Sequence, residues 1–400
     1  MNKKEISIYI HIPFCKSKCI YCDFFSKADC EKYLDSYTHA LCNEISFYAK
    51  KFCNTTVNTI YIGGGTPSLL SVQQLTRIFS ALKNNFIFAR SNFEFTVELN
   101  PDDVTEDLID FLQPSEINRI SLGIQTLKDD TLKLIQRRAS RQTCLNALSI
   151  INKKFLKRFS VDLICSLPGE NFNDIKASID EVIKYLPEHI SLYSLCIEED
   201  TKLYNLVQDK KIDYDSDIAD QLWITSRDYL ESKGFSQYEV SNFSRGKKSQ
   251  SLHNLTYWHL KSYLGFGSGA TGSLFKNDFD LPDMTESFRY TNTRDIKTYI
   301  DFWNSDFCTT KIPCEKEIID RSTEEFEFLM MGLRLRKGFS KKEYEKRFCD
   351  VQPKLFNAES DFIKNWKEKK LFSETEEDGD IFYALTEEGI LYLNSFLENL

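Results

Sequence analysis

The chain is predicted to be an α/β protein, an incomplete parallel (β/α)6 barrel followed by a small C-terminal winged-helix-like α+β domain. Three observations predict this. Up to about residue 235, short alternations of apolar and polar residues recur about every thirty to forty positions, each followed by a stretch with helical spacing. Beyond about residue 310 the pattern turns helix-rich and carries a late hairpin signal. A length of 400 residues accommodates one large α/β unit and a smaller one. A doubly wound sheet is the alternative for the first unit.

Six strands are expected, near 6–12, 57–62, 93–99, 117–123, 159–165 and 189–197. The first alternates Ile6, Ile8, Ile10 and Ile12 with Ser7, Tyr9 and His11, which puts Tyr9 and His11 on one face. The helix expected over 72–84 places Val72, Leu75, Ile78, Phe79 and Leu82 on one side, and Ser71 with Gln74 reads as a capping box. In a parallel barrel chemistry gathers at the carboxyl ends of the strands. There the chain offers Gly63-Gly64-Gly65-Thr66 after the second strand, Glu98 on the third, Gln125 on the fourth and Asp162 on the fifth. Exposed N–H and C=O groups of a glycine run can hold an amino-acid head group, although a plain turn is the simpler reading of three glycines alone. Taken together, polar side chains at corresponding places on successive strands converge on one pocket.

Between the first strand and its helix lies Cys15-Lys16-Ser17-Lys18-Cys19-Ile20-Tyr21-Cys22. Cysteines at C-x3-C-x2-C on a short loop bring three thiolates to one soft metal centre, and an iron–sulfur cluster held by three thiolates keeps one iron open for a chelating ligand. Zinc is the rival, and it needs a fourth ligand, for which His11 and Cys30 are the candidates. The remaining cysteines, among the 12 present, are scattered through apolar runs as reduced thiols are, not paired as in a secreted framework.

The cysteine loop resembles that of the radical S-adenosylmethionine (SAM) superfamily. With Tyr61-Ile62-Gly63-Gly64-Gly65-Thr66-Pro67-Ser68, Glu98-Leu99-Asn100-Pro101, Ser121-Leu122-Gly123-Ile124-Gln125, Asp162-Leu163-Ile164, His189-Ile190-Ser191-Leu192-Tyr193 and Tyr238-Glu239-Val240-Ser241-Asn242-Phe243, the likeness extends over nearly the whole chain. It is to the oxygen-independent coproporphyrinogen III oxidase group and, within it, the HemW haem-chaperone family. The resemblance implies a radical-SAM barrel, a [4Fe-4S] cluster on Cys15, Cys19 and Cys22, and SAM contacts from Tyr9, Gly65, Thr66, Glu98, Gln125, Arg137 and Asp162. It also implies haem binding at His253-Asn254-Leu255-Thr256-Tyr257-Trp258, with His253 as iron ligand and Tyr257 and Trp258 as a flat wall. A histidine packed beside tyrosine and tryptophan is more often a structural hydrogen-bonder.

The oxidase of this group carries a fourth cysteine two positions after the third and a long N-terminal extension. Here Phe24 holds that position and the first strand begins within a few residues of Met1. Both favour a haem chaperone without oxidase activity, delivering haem to respiratory or storage acceptors; the coproporphyrinogen III dehydrogenase is the alternative. The chain also departs from the family in Arg137-Arg138-Ala139, where Arg-x-His is usual, and in Ser166-Leu167-Pro168-Gly169-Glu170, where Gly-Leu-Pro-Gly-Gln is usual.

The expected organisation is a barrel over 1–235, a connecting segment over 236–310 with the His253 motif and a Gly-rich loop at 265–272, and a C-terminal domain over 311–400. In that last part a helix near 322–336, two shorter helices, a hairpin turning at Asp378-Gly379-Asp380 and a final helix over 386–398 are expected. A formal charge of −9 and the glutamates among Lys341, Lys342, Lys367, Lys369 and Lys370 argue against nucleic acid as a partner. No secretory leader and no membrane-spanning run is legible, so the chain is expected in the cytoplasm. Peripheral membrane contact and a homodimer are compatible with the sequence.

Overall fold

A computed structural model describes residues 4–279, 284–305, 311–349 and 356–400. Six strands run in parallel and pair in sequence order: β1 (Glu5–Ile12), β2 (Thr56–Gly64), β3 (Glu94–Leu99), β4 (Arg119–Gln125), β5 (Arg158–Cys165) and β6 (His189–Ser194). This is the incomplete barrel expected, with β6 ending at Ser194 and not at 197. The two parities of each strand do different work. Ile6, Ile8, Ile10 and Ile12 of β1 join an apolar cluster with Leu41 and Ile45 of the helix Leu34–Lys51. The opposite parity carries polar side chains in register from strand to strand: Tyr9 lies beside Tyr61, Glu98 beside Ser121, and Asp162 between Gly123 and Ser191. Both faces are covered, as in an all-parallel sheet.

The helix Val72–Asn85 begins with the expected reciprocal cap, Gln74 N–H to Ser71 Oγ at 3.3 Å and Ser71 N–H to Gln74 Oε1 at 2.9 Å. Leu75, Ile78, Phe79 and Leu82 are buried, but Val72, in the first turn, is 41% exposed.

Residues 236–279 and 284–292, expected to connect two domains, extend the sheet at both ends. Ser236–Glu239 and Asn242–Ser244 form a hairpin antiparallel to β6. Beyond β1, Tyr263–Phe266 pairs parallel to it, and Thr271–Leu274, Ser287–Asn292 and Cys314–Ile319 continue as an antiparallel meander. The Gly-rich loop is the turn of this meander. Gly267 has φ +103°, and a Cβ there would lie 2.5 Å from the His11 carbonyl oxygen, so only glycine fits. The expected boundary at 310 falls beside 306–310, which lie outside the described residues.

A second apolar cluster, including Phe328, Phe339, Trp366, Tyr383 and Phe396, gathers the helices Arg321–Gly332, Lys341–Arg347 and Asp361–Glu368 around a three-stranded antiparallel sheet. Its hairpin turns at Asp378 (φ +51°) and Gly379 (φ +71°), a two-residue turn matched to strand twist. The final helix is shorter than expected. Thr386 is held to Leu371 and Lys370 by hydrogen bonds, and the chain coils as a 3₁₀ turn over Gly389–Tyr392 before the α-helix Leu393–Leu397. Two of the lysines of this region pair with glutamates, Lys367 with Glu374 at 2.6 Å and Lys341 with Glu345 at 3.9 Å. Among the described residues no helix is long and apolar enough to cross a membrane.

Candidate cofactor site

The cysteine loop leaves β1 and is pinned at both ends and in the middle. Pro13 C=O accepts from Lys27 N–H at 2.8 Å, and Ile20 buries its side chain among Ile135, Leu167, Leu195 and Leu203. Ile20 also bonds through its backbone to Ile135 and Leu203. The segment that carries Cys19 and Cys22 is thereby fixed against the far side of the barrel mouth.

His11 adds the strut from beneath. Its Nε2 lies 2.8 Å from the Phe25 carbonyl, so that nitrogen carries the proton, and the bare Nδ1 accepts from Tyr9 Oη at 2.8 Å. Burial holds its pKa below the usual range. With both nitrogens engaged, His11 is not available as the fourth ligand that zinc requires.

At the carboxyl ends of the strands the loop roofs a cavity of about 410 Å³. Cys15, Cys19, Cys22, Gly65, Thr66, Glu98, Gln125, Arg137 and Asp162 all line it. Each reaches it for a local reason. A Cβ on Gly65 would lie 2.7 Å from the Phe14 carbonyl oxygen and 3.0 Å from Cys15 Sγ, so glycine lets β2 and the cysteine loop touch. Thr66 Oγ1 donates to Cys15 Sγ at 3.4 Å. Gln125 sits at φ +69°, a left-handed conformation at a register shift between β4 and β5, which turns its side chain into the mouth. Arg137 donates to the Gly123 carbonyl at 2.6 Å and lies 3.8 Å from Cys19 Sγ, while its buried Nε has no partner. Of the two adjacent arginines it is Arg137 that enters the cavity; Arg138 pairs outside it with Asp102 and Asp103.

Two carboxylates face each other inside. Glu98 accepts from Tyr61 Oη at 2.7 Å and from Gly64 N–H at 3.2 Å. Burial pushes its pKa up to about 7, against those two hydrogen bonds and with the help of the nearby Asp162. Asp162 accepts from Ser121 Oγ at 2.9 Å, and burial raises it as well. Both are therefore costly to ionise where they stand, and a ligand ammonium or hydroxyl donating to them offsets that cost.

Several expected residues stand elsewhere. Tyr9 does not line the cavity; it lies behind Tyr61, its ring 6.3 Å from that one. His253, Tyr257 and Trp258 do not line it either. They belong to the helix Leu252–Trp258, which closes the floor of the barrel under β1, β2 and β3. His253 is 1% exposed, with Nδ1 2.7 Å from Thr59 Oγ1 and Nε2 2.7 Å from Tyr257 Oη. Burial depresses its pKa to about 3, and both nitrogens are taken. Trp258 rests under the Arg334 guanidinium, 5.9 Å from the ring centroid.

Sequence reading passed over Tyr61, Ser121, Tyr193 and Cys196, all of which line the cavity. Tyr61 and Ser121 share strand parity with Gly63 and Gly123, a signal that was available. Phe24, at the fourth-cysteine position, is 69% exposed at the rim.

The donor set suits an iron–sulfur cluster: three half-buried free thiols, a glycine that admits close backbone approach and a guanidinium beside one sulfur. Fold and site together define a radical SAM protein, and residues 9–182 match the Radical SAM superfamily. The E. coli coproporphyrinogen III oxidase HemN, a radical SAM enzyme, superposes with a TM-score of 0.79 over 99% of this chain and 90% of its own, at 19% identity, a likeness of fold. Heme chaperone HemW of Lactococcus lactis is 32% identical over 92% of this chain and 91% of its own length. HemW of Bacillus subtilis is 32% identical over 92% and 93%, and that of Escherichia coli K12 is 29% identical over 98% and 97%. The chain belongs to the HemW family of the radical SAM superfamily. Membership implies a [4Fe-4S] cluster and SAM.

Proposed function

We propose that this protein is a haem chaperone that binds haem, carries a SAM-coordinating [4Fe-4S] cluster and delivers haem to acceptor proteins in the cytoplasm. The observation that carries the reading is its identity of about 30% with several HemW proteins over more than nine-tenths of the chain, joined to one cavity holding the whole cysteine set. Cys15, Cys19 and Cys22 would hold the cluster, and Gly65, Thr66, Glu98, Gln125, Arg137 and Asp162 would receive SAM. With the cluster and SAM bound, the chemistry supplied there would be one-electron reduction of the SAM sulfonium, the electron coming from an external reductant. The residues do the rest. Arg137 offsets charge on Cys19 and fixes the strand end through Gly123. Glu98 and Asp162 accept from ligand amine or ribose hydroxyls, and the roof of the cysteine loop excludes water.

For His253 to ligate haem iron, a ring nitrogen must be freed from Thr59 or Tyr257 and a ring that is 1% exposed must be uncovered. Phe24 supports the chaperone over the oxidase, because the position of the oxidase's additional cysteine holds a side chain with no sulfur. The test is anaerobic turnover of reconstituted protein with reductant, SAM and coproporphyrinogen III. The expected result is no protoporphyrinogen above the protein-free control; multiple-turnover product would make the protein an oxidase.

A further inference from the structure

We propose that His253 is a positioning residue for the cavity at the opposite end of the barrel, acting through Tyr61 on Glu98. The inference rests on the reading that SAM occupies this cavity. The His253 ring stacks on Tyr61 with centroids 5.1 Å apart and planes 25° apart. Tyr61 in turn donates to Glu98 Oε1 at 2.7 Å, and both Tyr61 and Glu98 line the cavity. No slack exists beside this pair. A Cβ on Gly63 would lie 2.8 Å from the Tyr61 ring and 2.9 Å from the Glu98 carboxyl carbon, so the two side chains are packed onto bare backbone.

From below, His253 is held by Thr59 and Tyr257 through its ring nitrogens, and its backbone amide donates to Glu94 Oε1 at 3.0 Å. Leu252 N–H donates to the same carboxylate, and Thr256 Oγ1 lies 3.0 Å from Ser7 Oγ of β1. The floor helix is thus bonded to β1, β2 and β3, and its one imidazole stacks closer to Tyr61 than the Tyr9 ring does, at 5.1 Å against 6.3 Å. Removing the imidazole opens space under Tyr61, and the tyrosine can then sink or tilt, taking its hydroxyl off Glu98. Glu98 keeps only the Gly64 amide, and its oxygens no longer stand where a ligand amine or hydroxyl meets them.

The experiment is SAM titration of the full-length, cluster-reconstituted protein under anaerobic conditions, read by calorimetry and by the electron paramagnetic resonance spectrum of the reduced cluster. Wild type is expected to saturate and to change its cluster spectrum. His253→Ala is expected to raise the SAM Kd about tenfold with unchanged iron content, the loss of about one well-placed hydrogen bond. Tyr61→Phe is expected to do the same, and the double variant to be no weaker than the weaker single, because both act through one carboxylate. His253→Phe keeps a flat ring beneath Tyr61 and is expected to recover affinity to within about threefold of wild type.

His253→Ala binding SAM as tightly as wild type overturns the proposal, and so do losses that multiply in the double variant. Should His253→Ala fail to fold, His253→Phe decides: affinity no better than that of Tyr61→Phe overturns it. A wild type without saturable SAM binding is a different failure, that of the cavity as a SAM site.

Discussion

Cys19→Ala is expected to leave the protein without its cluster, with iron and sulfide after anaerobic reconstitution falling by more than about nine-tenths. Two thiolates cannot hold what three hold, and Cys196, the other cysteine lining the cavity, is exposed beyond the end of β6, outside the loop that carries the three. His11 spends both ring nitrogens on Tyr9 and Phe25. Cys30→Ala serves as the control, since Cys30 is half-buried and does not line the cavity. It is expected to keep full iron content. Metal analysis with sulfide determination checks both, and a Cys19→Ala protein that retains its iron, or a Cys30→Ala protein that loses it, would show that the ligand set is wrong.

Glu94→Ala is expected to destabilise the fold by about 3–5 kcal/mol, the range for stripping one partner from a buried charged cluster. Glu94 is fully buried at the start of β3 and accepts from the amides of Leu252 and His253. Arg119 and Arg158 stand 3.8 and 3.7 Å from it and donate to the carbonyls of Ser249 and Lys248, the turn that leads into the floor helix. Without the carboxylate the helix loses the acceptor of its first two amides, and Arg119 is left buried without its carboxylate partner. Glu94→Gln keeps an acceptor for one amide and should cost less. Urea denaturation of the two variants measures the difference; midpoints equal to wild type would mean that the floor is held by packing alone.

How much of this was legible beforehand follows from periodicity. The six parallel strands were readable because each alternates over six or more residues and is followed by a helical stretch, and the barrel mouth was readable because parallel topology assigns strand ends to one side. The added strands 236–239, 242–244 and 263–266 are three or four residues long, too short to carry a period, so a region that extends the sheet read as a connection. The cysteine set was readable because its spacing is short and its chemistry soft. His253 was not, because a six-residue motif does not say which way its helix faces. Only the tertiary positions of Thr59, Tyr61 and Glu94 show that its imidazole points into the barrel, between floor and cavity. Tyr61 escaped notice for a related reason: a tyrosine in a strand reads as packing, and its hydroxyl finds Glu98 only across the β2–β3 pair.

The central claim, that this chain binds haem as cargo, is tested most directly by titrating haem into the reconstituted protein and following the Soret band. A saturating shift at a fixed haem-to-protein ratio is the predicted result. Absorbance that rises linearly with added haem and shows no saturable shift, with the cluster intact, would contradict it.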